Sequence, residues 1–337
     1  MASLRAVPDR SLVLHPVVAS GRGPRPSQRC PSLEEIALPS VTTPLRLLRS
    51  HRSAVSRALG PVIAAAVLAT AMVAPVSAAG RTFYVATNGS DTNSGSISRP
   101  WRSFHTSLKK LRAGDRLYVR GGSYTFKGTN YTTLAGTSNN RILISAYPGE
   151  RPIFTGTTTP AHFLYFSSNS AYITLRGLTI QGGGRTTDSS GSSLLGFVGN
   201  ANHIRIEKNR LIGSPTWEHR QHLAYVASPS VNDVVFKWNT FDGKGCACSG
   251  ILNFYHEPNA AGVRVYGNNI RNGADGITVW ANVSGLKIWG NDFSSLGRGV
   301  YHHHSNGTLV TDNSARNVRY PVFAESRRNL TVYGNDW

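Results

Sequence analysis

The sequence has 337 residues, with 36 lysines and arginines against 17 acidic residues and a formal net charge of +19. With 40% hydrophobic and only 16% charged residues, it is too apolar for a disordered chain and too lightly charged for a coiled coil. The excess of positive charge indicates a polyanionic partner, which is nucleic acid, an anionic membrane or an acidic polysaccharide.

The first element in chain order is a predicted secretory signal at residues 41–79. An uncharged apolar run at 62–74 follows four arginines and precedes Val76-Ser77-Ala78-Ala79, which is the order of a signal peptide cleaved near Ala78-Ala79. The run is shorter than the ~20 residues that span a bilayer, so we expect a secreted protein. Residues 1–40 precede a complete signal, and we interpret them as a disordered leader or as the consequence of a start codon placed too early.

The net charge stays positive when residues 1–79 are removed. Nine of the 36 basic residues and three of the 17 acidic ones lie before residue 80, so the chain from there onward keeps a net charge of +13. Cys30 leaves with the leader, and the remaining Cys246 and Cys248 are expected to form a disulfide or to be two buried thiols.

An N-terminal cap is predicted at 80–116, with a short helix at 101–112. Ser103 is placed to act as the N-cap, and Gly114-Asp115 ends the helix. The helix is expected to cover the first coil of the repeats that follow. Its apolar face carries Trp101, Phe104, Leu108 and Leu111.

Residues 117–337 carry an internal repeat of the form apolar-x-apolar-x-x-Asn-x-apolar. Its copies begin at residues 204, 234, 263 and 286, with weaker copies at 308 and 330 and an earlier copy at 173 that has Leu178 in place of the asparagine. Each copy is a strand with period two and a turn, mostly followed by a second short strand, and no segment between copies has the length and periodicity of a helix. This pattern predicts an all-β parallel solenoid in which equivalent strands stack about 4.8 Å apart.

Two columns of the repeat have predictable roles. The first apolar positions are expected to point inward and stack into ladders, as at Ile204, Val234, Val263 and Leu286. The asparagine column is expected to form a side-chain amide ladder at the turn, so we interpret these residues as structural and not as ligands.

The cap sequence resembles that of a known superfamily. The resemblance rests on Tyr84 to Asp91, Gly95, Pro100-Trp101, Gly114 to Val119 and Gly121 to Tyr124. These segments are similar to the cap of secreted bacterial proteins of the pectin-lyase-like superfamily, of the type close to family 9 pectate lyases. The resemblance implies a single-stranded right-handed parallel β-helix with a short N-terminal capping helix. That superfamily includes polysaccharide lyases, epimerases, glycoside hydrolases and binding proteins, so the fold does not decide the chemistry.

The resemblance also implies which residues to look for. β-Elimination at a uronic acid needs a base and a positive charge on the sugar carboxylate, supplied by Ca²⁺ or arginine. We expect Lys244 as the base, Arg298 as the carboxylate clamp, and Asp242 and Asp275 as calcium ligands, all within about three coils. The related lyases bind Ca²⁺ with a denser set of aspartates, and the alternative is that these are ordinary solvated turn charges.

Aromatic side chains on the outside suggest where a sugar would bind. We expect Trp280, Tyr301 and His303 to contact substrate, unless a loop covers them as a satellite core. A rival basic-aromatic strip carries Tyr266 and Trp289, with Arg205, Arg264 and Lys287 beside them. By strand alternation, one outward column holds Leu252, Thr278, Tyr301 and Phe323, and the next holds Phe254, Trp280, His303 and Glu325.

The run His302-His303-His304 invites a metal interpretation. Alternation puts His302 and His304 on one side and His303 on the other, and two histidines alone lack the third and fourth ligands of a zinc site. We therefore do not expect zinc, and an inward His302 with a hydrogen bond is the alternative.

These observations favour a secreted protein that acts on acidic polysaccharide, as a lyase of uronate-containing chains. A non-catalytic carbohydrate- or surface-binding β-helix and a glycoside hydrolase are the alternatives, the latter requiring two facing carboxylates. Glu257, Asp275 and Glu325 are too scattered in sequence to choose such a pair. We expect no nucleic-acid partner, no membrane contact after signal cleavage, and a monomer.

Overall fold

The computed structural model describes residues 12–14, 80–182, 192–217, 221–248, 250–255, 262–280, 283–325 and 329–337. The predicted leader and signal peptide therefore lie outside the described residues except at 12–14, and so does Glu257. Within the described part, no helix has the length and apolar character needed to cross a bilayer.

The described chain contains twenty-two strands and one short helix. In chain order the elements are β1 (Leu12–Leu14), β2 (Thr82–Val85), α1 (Phe104–Leu108), β3 (Arg116–Val119), β4 (Gly122–Thr132), β5 (Ile142–Ala146), β6 (Pro152–Phe166), β7 (Ala171–Arg176), β8 (Thr179–Gln181), β9 (Ser192–Phe197), β10 (Asn202–Glu207), β11 (Arg210–Ile212), β12 (Gln221–Val226), β13 (Asn232–Lys237), β14 (Thr240–Cys246), β15 (Leu252–Phe254), β16 (Arg264–Tyr266), β17 (Asn269–Val279), β18 (Lys287–Trp289), β19 (Asp292–His302), β20 (Leu309–Thr311), β21 (Ser314–Ala324) and β22 (Thr331–Tyr333).

The strands form two parallel sheets, as the repeat predicts. The ten-stranded sheet runs β2-β3-β5-β7-β10-β13-β16-β18-β20-β22, so each repeat adds one strand in chain order. The twelve-stranded sheet is crossed twice by each coil, because the first part of β17 pairs with β14 and its last part pairs with β15. The one antiparallel partner among these strands is β1, whose Val13 lies opposite Phe323 of β21. The architecture is all-β with parallel strands, as expected for a parallel β-helix.

The inward ladders are confirmed. Ile204, Val234, Val263 and Leu286 are completely buried and occupy equivalent positions in successive coils. Burying one such side chain contributes about 1.5–3 kcal/mol relative to leaving it in water, so the stacked columns supply most of the driving force that holds the coils together.

The asparagine ladder is also confirmed. The Nδ2 group of Asn239 donates to Oδ1 of Asn268 at 3.0 Å, and Asn268 donates in turn to Asn291 at 2.9 Å. Each Oδ1 also accepts the backbone N–H of the preceding asparagine in the column, at 2.9 Å for Asn239 and Asn268. Because these amides are buried at the turn, they satisfy one another and the strand carbonyls, and none is available to a ligand.

The capping helix is shorter than predicted. α1 spans Phe104–Leu108, yet all four predicted apolar side chains are buried, from Trp101 to Leu111. The Ser103 hydroxyl does not cap the helix, because it donates to the Asp91 carboxylate instead. Elsewhere Cys246 and Cys248 form a disulfide with both sulfurs buried, which decides between the two predicted states.

Candidate active site

The most connected group of polar and aromatic side chains lies on the outer face of the twelve-stranded sheet, in its last three coils. β17, β19 and β21 place Asp275, Arg298 and Tyr320 in register on adjacent coils. Arg298 donates through Nε to Oδ1 of Asp275 at 2.5 Å and through Nη2 to Oδ2 at 2.8 Å. The carboxylate is buried, whereas the arginine side chain is 31% exposed, so the guanidinium is held from below and still reaches the surface.

Arg298 keeps its positive charge in this environment. Burial acts to lower the pKa of its guanidinium, but the hydrogen bonds and negative charge of Asp275 outweigh burial and raise the pKa above its usual value. The guanidinium also lies 3.8 Å from the ring centroid of Tyr301, a distance at which a cation is attracted to the aromatic face.

Tyr301 links Arg298 to a second polar pair. Its hydroxyl donates to Oε1 of Glu325. Burial and the adjacent Glu325 carboxylate raise the pKa of the phenol, so Tyr301 remains a protonated hydrogen-bond donor. Tyr301 points outward as predicted, but the expectation of an exposed ring is wrong, because neighbouring side chains leave only 8% of it accessible.

The Glu325 carboxylate also lies close to two histidines. Nε2 of His303 lies 2.9 Å from Oε2 of Glu325, and Nδ1 of His304 lies 3.7 Å from the same oxygen. The His303 ring contacts Trp280, with centroids 4.6 Å apart. Nδ1 of His303 and Nε1 of Trp280 are buried and have no hydrogen-bond partner within the part of the chain that the structure describes. Both nitrogens are therefore buried and unpaired within the described part of the chain.

The structure brings together five of the predicted site residues and places the other four elsewhere. Asp275, Arg298, Tyr301, His303 and Trp280 form one cluster with Glu325, which we call the Arg298 cluster. Tyr266 and Trp289 lie on the ten-stranded sheet. Asp242 and Lys244 lie in β14, two coils before Arg298.

Asp242 forms a salt bridge with a different arginine, Arg271. Its carboxylate accepts from Nε of Arg271 at 3.2 Å and from Nδ2 of Asn272 at 3.0 Å. Burial acts to raise its pKa, but these donors and the backbone N–H of Lys244 lower it overall. The exposed Lys244 side chain lines an open depression with Asn272 and Ser295, and neither Asp275 nor Arg298 lines that depression.

The predicted calcium pair is not assembled as one site. Asp242 is in register with Arg271, four positions along β17 from Asp275, and each carboxylate is already paired with an arginine. Calcium binding by these two residues stays a prediction. The group of three side chains with donor atoms close enough to hold one metal ion, among the described residues, is His303, His304 and Glu325, whose donor atoms lie within 4.8 Å of one another.

Two predicted orientations are wrong. Leu252 and Phe254 point inward, and Asn253 and Tyr255 take the places assigned to them beside Thr278 and Trp280. His302 is buried as the alternative predicted, but His304 does not share its side of the strand. β19 ends at His302, and the left-handed backbone of His304 (φ 52°) turns its ring toward Glu325.

Glu325 is the residue whose role sequence reasoning missed. It stands 22 positions after His303, the step of the final repeats, so the repeat places it beside His303 in the next coil. The spacing predicted the position of Glu325 beside His303. A single carboxylate among aromatic residues, however, forms no sequence motif that would indicate its role.

Known proteins resemble the first half of the coils. The family model described as the Pel9A-like right-handed β-helix region matches residues 83–216. The predicted resemblance is thereby confirmed, and the Arg298 cluster lies beyond the Pel9A-like region, so the roles of its residues rest on geometry.

Two sequence relatives match parts of the chain. "Pectate lyase PEL9" of Emericella nidulans is 35% identical over 77 residues, which are 23% of this chain and 19% of that protein. The uncharacterized protein YwoF of Bacillus subtilis is 27% identical over 140 residues, which are 40% of this chain and 29% of that protein. The chain therefore matches less than a third of either relative.

Solved structures share the fold. A rhamnogalacturonan lyase superposes with a TM-score of 0.55 at 18% identity over 70% of this chain and 68% of that chain. The complex of XylC with xylose gives 0.54 at 13% identity over 70% and 62%. The GH136 lacto-N-biosidase of Eubacterium ramulus gives 0.56 at 14% identity over 76% and 55%. The TM-scores support a common fold despite the low identities, and the activities in the names differ.

Proposed function

We propose that this protein is a secreted right-handed β-helix that cleaves uronate-containing polysaccharide by β-elimination at the Arg298 cluster. The reaction removes the proton next to the sugar carboxylate and breaks the bond to the leaving glycosidic oxygen, which takes up a proton. It leaves an unsaturated sugar at the new chain end. Negative charge develops on the carboxylate during proton removal, so the site needs a fixed cation and a group that accepts a proton.

The proposal rests mainly on the exposure and fixed orientation of Arg298. It is a partly exposed cation whose orientation is fixed from below by two hydrogen bonds to buried Asp275. Two of its five N–H donors are used there, and a guanidinium is suited to receive a carboxylate with the others. Since Asp275 fixes it before substrate arrives, little reorganisation is needed when charge develops.

His303 and Glu325 are the proposed proton acceptor. A carboxylate bonded to one imidazole nitrogen orients the ring and stabilises the cation that forms when the other nitrogen takes a proton. His303 has this arrangement, with Nε2 on Glu325 and Nδ1 without a partner among the described residues. Tyr301, a protonated phenol between Arg298 and Glu325, is the proposed donor to the leaving oxygen. Lys244, exposed and two coils away, is the competing base.

The comparisons suggest the first substrate to try. A relative is named as a pectate lyase, and the net charge of +13 from residue 80 onward suits a polyanionic glycan. We therefore propose polygalacturonate as substrate, with alginate as the second polyuronate.

The test is appearance of unsaturated product, followed by ultraviolet absorbance, from polygalacturonate and alginate. Arg298→Ala is expected to abolish the signal. Arg316→Ala is the matched control, because Arg316 lies on the next coil of the same sheet and pairs with Asp292 at 3.3 Å, with 78% of its side chain exposed. Equal loss in both variants, or no product from the unaltered protein with either polyuronate, would defeat the proposal.

A further inference from the structure

Away from the Arg298 cluster, the ten-stranded sheet carries a continuous row of aromatic and basic side chains. Parallel pairing puts Lys237, Tyr266, Trp289, Thr311 and Tyr333 in one outward column, one residue per coil. Lys208 and Trp238 flank it at the turn, and Lys287 lies in the next outward column. We call these residues the aromatic strip.

The rings of the strip are ordered against one another. Tyr266 and Trp289 stack with centroids 4.3 Å apart and planes 14° from parallel. Trp238 is 51% exposed and lies over Gly267 of the next coil, where an added Cβ would come within 2.8 Å of the indole. Gly267 therefore makes room for the ring, and the left-handed backbone there (φ 62°) also favours glycine.

The far face of the Tyr266–Trp289 stack is directed along the strip, over Thr311, which is only 7% exposed. Because Tyr266 and Trp289 are on adjacent coils and stack in parallel, their faces look along the solenoid, and the far face of Trp289 looks toward Thr311. Thr311 is small, and Tyr333 beyond it is 58% exposed. Two coils separate Trp289 from Tyr333, about 9.6 Å at the usual strand spacing. A sugar ring in van der Waals contact with both faces requires roughly 7–8 Å.

Lysines lie against the Trp238 ring, whereas the exposed Asp312 lies beside Thr311. The Nζ atoms of Lys237 and Lys208 lie 4.4 and 5.5 Å from the Trp238 centroid. Lys237 is also paired with Glu207 at 3.0 Å. Lys287 is exposed and forms no ion pair with any described residue, so its charge is available to a ligand, whereas Arg205 lies three coils away in the same column.

We propose that the aromatic strip is a second docking surface for acidic polysaccharide, separate from the Arg298 cluster. The far face of Trp289 and the exposed Tyr333 suit the apolar face of a sugar ring, and the unpaired Lys287 beside them complements a carboxylate. The partner class is shared with the proposed function, but this surface binds without catalysing, and its test does not require turnover.

The experiment measures binding of polygalacturonate by affinity electrophoresis and by titration at two salt concentrations. Trp289→Ala is expected to weaken binding about tenfold, and Lys287→Glu is expected to weaken it and to reduce its salt dependence. Tyr131→Ala is the control, because Tyr131 is 65% exposed and lies on the other sheet. Thermal unfolding checks that each variant folds.

The outcomes separate this inference from the proposed function. Weaker binding by Trp289→Ala, with unchanged turnover of a short oligouronide or with no turnover in any variant, supports the strip. Unchanged binding by both strip variants, or loss of binding in Tyr131→Ala as large as in Trp289→Ala, overturns it. Tighter binding of single-stranded DNA than of polygalacturonate, lost in Trp289→Ala, assigns the strip to nucleic acid and also overturns it.

Discussion

Arg298 and Asp275 face each other across adjacent coils, with both carboxylate oxygens accepting N–H groups of one guanidinium at 2.5 and 2.8 Å. The pair is buried on the aspartate side and open on the arginine side. A buried carboxylate without a partner is costly, so the arginine is needed for folding as well as for the proposed chemistry. Replacing Arg298 is therefore expected to change stability as well as activity.

Arg298→Lys is expected to keep the charge and lose the two-point contact with Asp275. An ammonium cannot reproduce the planar fork of a guanidinium. We expect kcat/KM on polygalacturonate to fall by roughly 10- to 100-fold, with a small change in unfolding free energy. Arg316→Lys, on the exposed neighbouring pair, should leave both quantities unchanged. Equal kcat/KM for Arg298→Lys and the unaltered protein would show that the fixed guanidinium is not required.

His303→Ala and Lys244→Ala decide between the two proposed bases. If His303 accepts the proton, its removal should lower kcat by about 100-fold or more, while Lys244→Ala changes kcat less than twofold. The assay is initial rate of unsaturated product at saturating polygalacturonate. The opposite pattern would restore Lys244 as the base and leave His303 a structural residue.

Zinc is expected to inhibit. His303, His304 and Glu325 have donor atoms within 4.8 Å of one another, and two imidazoles with one carboxylate are a donor set that Zn²⁺ prefers. The ion would occupy the proposed proton acceptor, so activity should fall with added Zn²⁺ and return with a chelator. His304→Ala should raise the inhibitory concentration at least tenfold. Equal inhibition of this variant and the unaltered protein would place the zinc elsewhere.

The asparagine ladder predicts a position-dependent cost. Asn268→Ala removes a buried acceptor from the Asn239 backbone and side chain and a donor to Asn291, so unfolding free energy should drop by about 2–4 kcal/mol. Asn335→Ala, at the partly exposed end of the ladder, should cost about 1 kcal/mol, because water can replace the lost partner. Chemical denaturation measures both, and equal costs would contradict a buried cooperative ladder.

Asp115 gives a pH-dependent test of the N-terminal region. Its buried carboxylate accepts the backbone N–H groups of Arg81 and Arg112, each at 2.9 Å. Burial acts to raise its pKa, but these donors and the Arg81 charge lower it overall. A depressed folded pKa gives stability that is present above the unfolded pKa and lost as pH falls through the folded one.

Asp115→Asn should therefore cost about 1–3 kcal/mol at neutral pH. The difference from the unaltered protein should shrink below about pH 4, the ordinary pKa of aspartic acid. Unfolding free energies across this range provide the measurement. A difference that is constant down to pH 2 would mean that the charge of Asp115 does not contribute.

The repeat made the ladders and the strand order predictable, because columns of Val234 and Asn239 recur with a fixed offset in every copy. The outer face was harder to predict. Leu252 pairs with Ile277 and not with Thr278, and this shift of one residue reverses which side chains of β15 point inward. Nothing in the residue types between the copies marks that shift.

The cluster was only partly predictable for a similar reason. Asp242 and Asp275 have the same chemistry, but four positions along β17 give each a different arginine. The side chain of His304 does not follow the strand alternation, because β19 ends at His302. Such local departures from the repeat decide which charged groups meet, and they depend on backbone conformation that periodicity does not encode.

The most direct test of the proposed activity is incubation of the protein from residue 80 onward with polygalacturonate, with and without a chelator, followed by ultraviolet absorbance and mass spectrometry of the products. The proposal predicts oligouronides with an unsaturated terminal sugar, formed by the unaltered protein and absent with Arg298→Ala. Saturated products would indicate hydrolysis and contradict β-elimination, and intact polymer with binding retained would indicate a β-helix that binds polysaccharide without cleaving it.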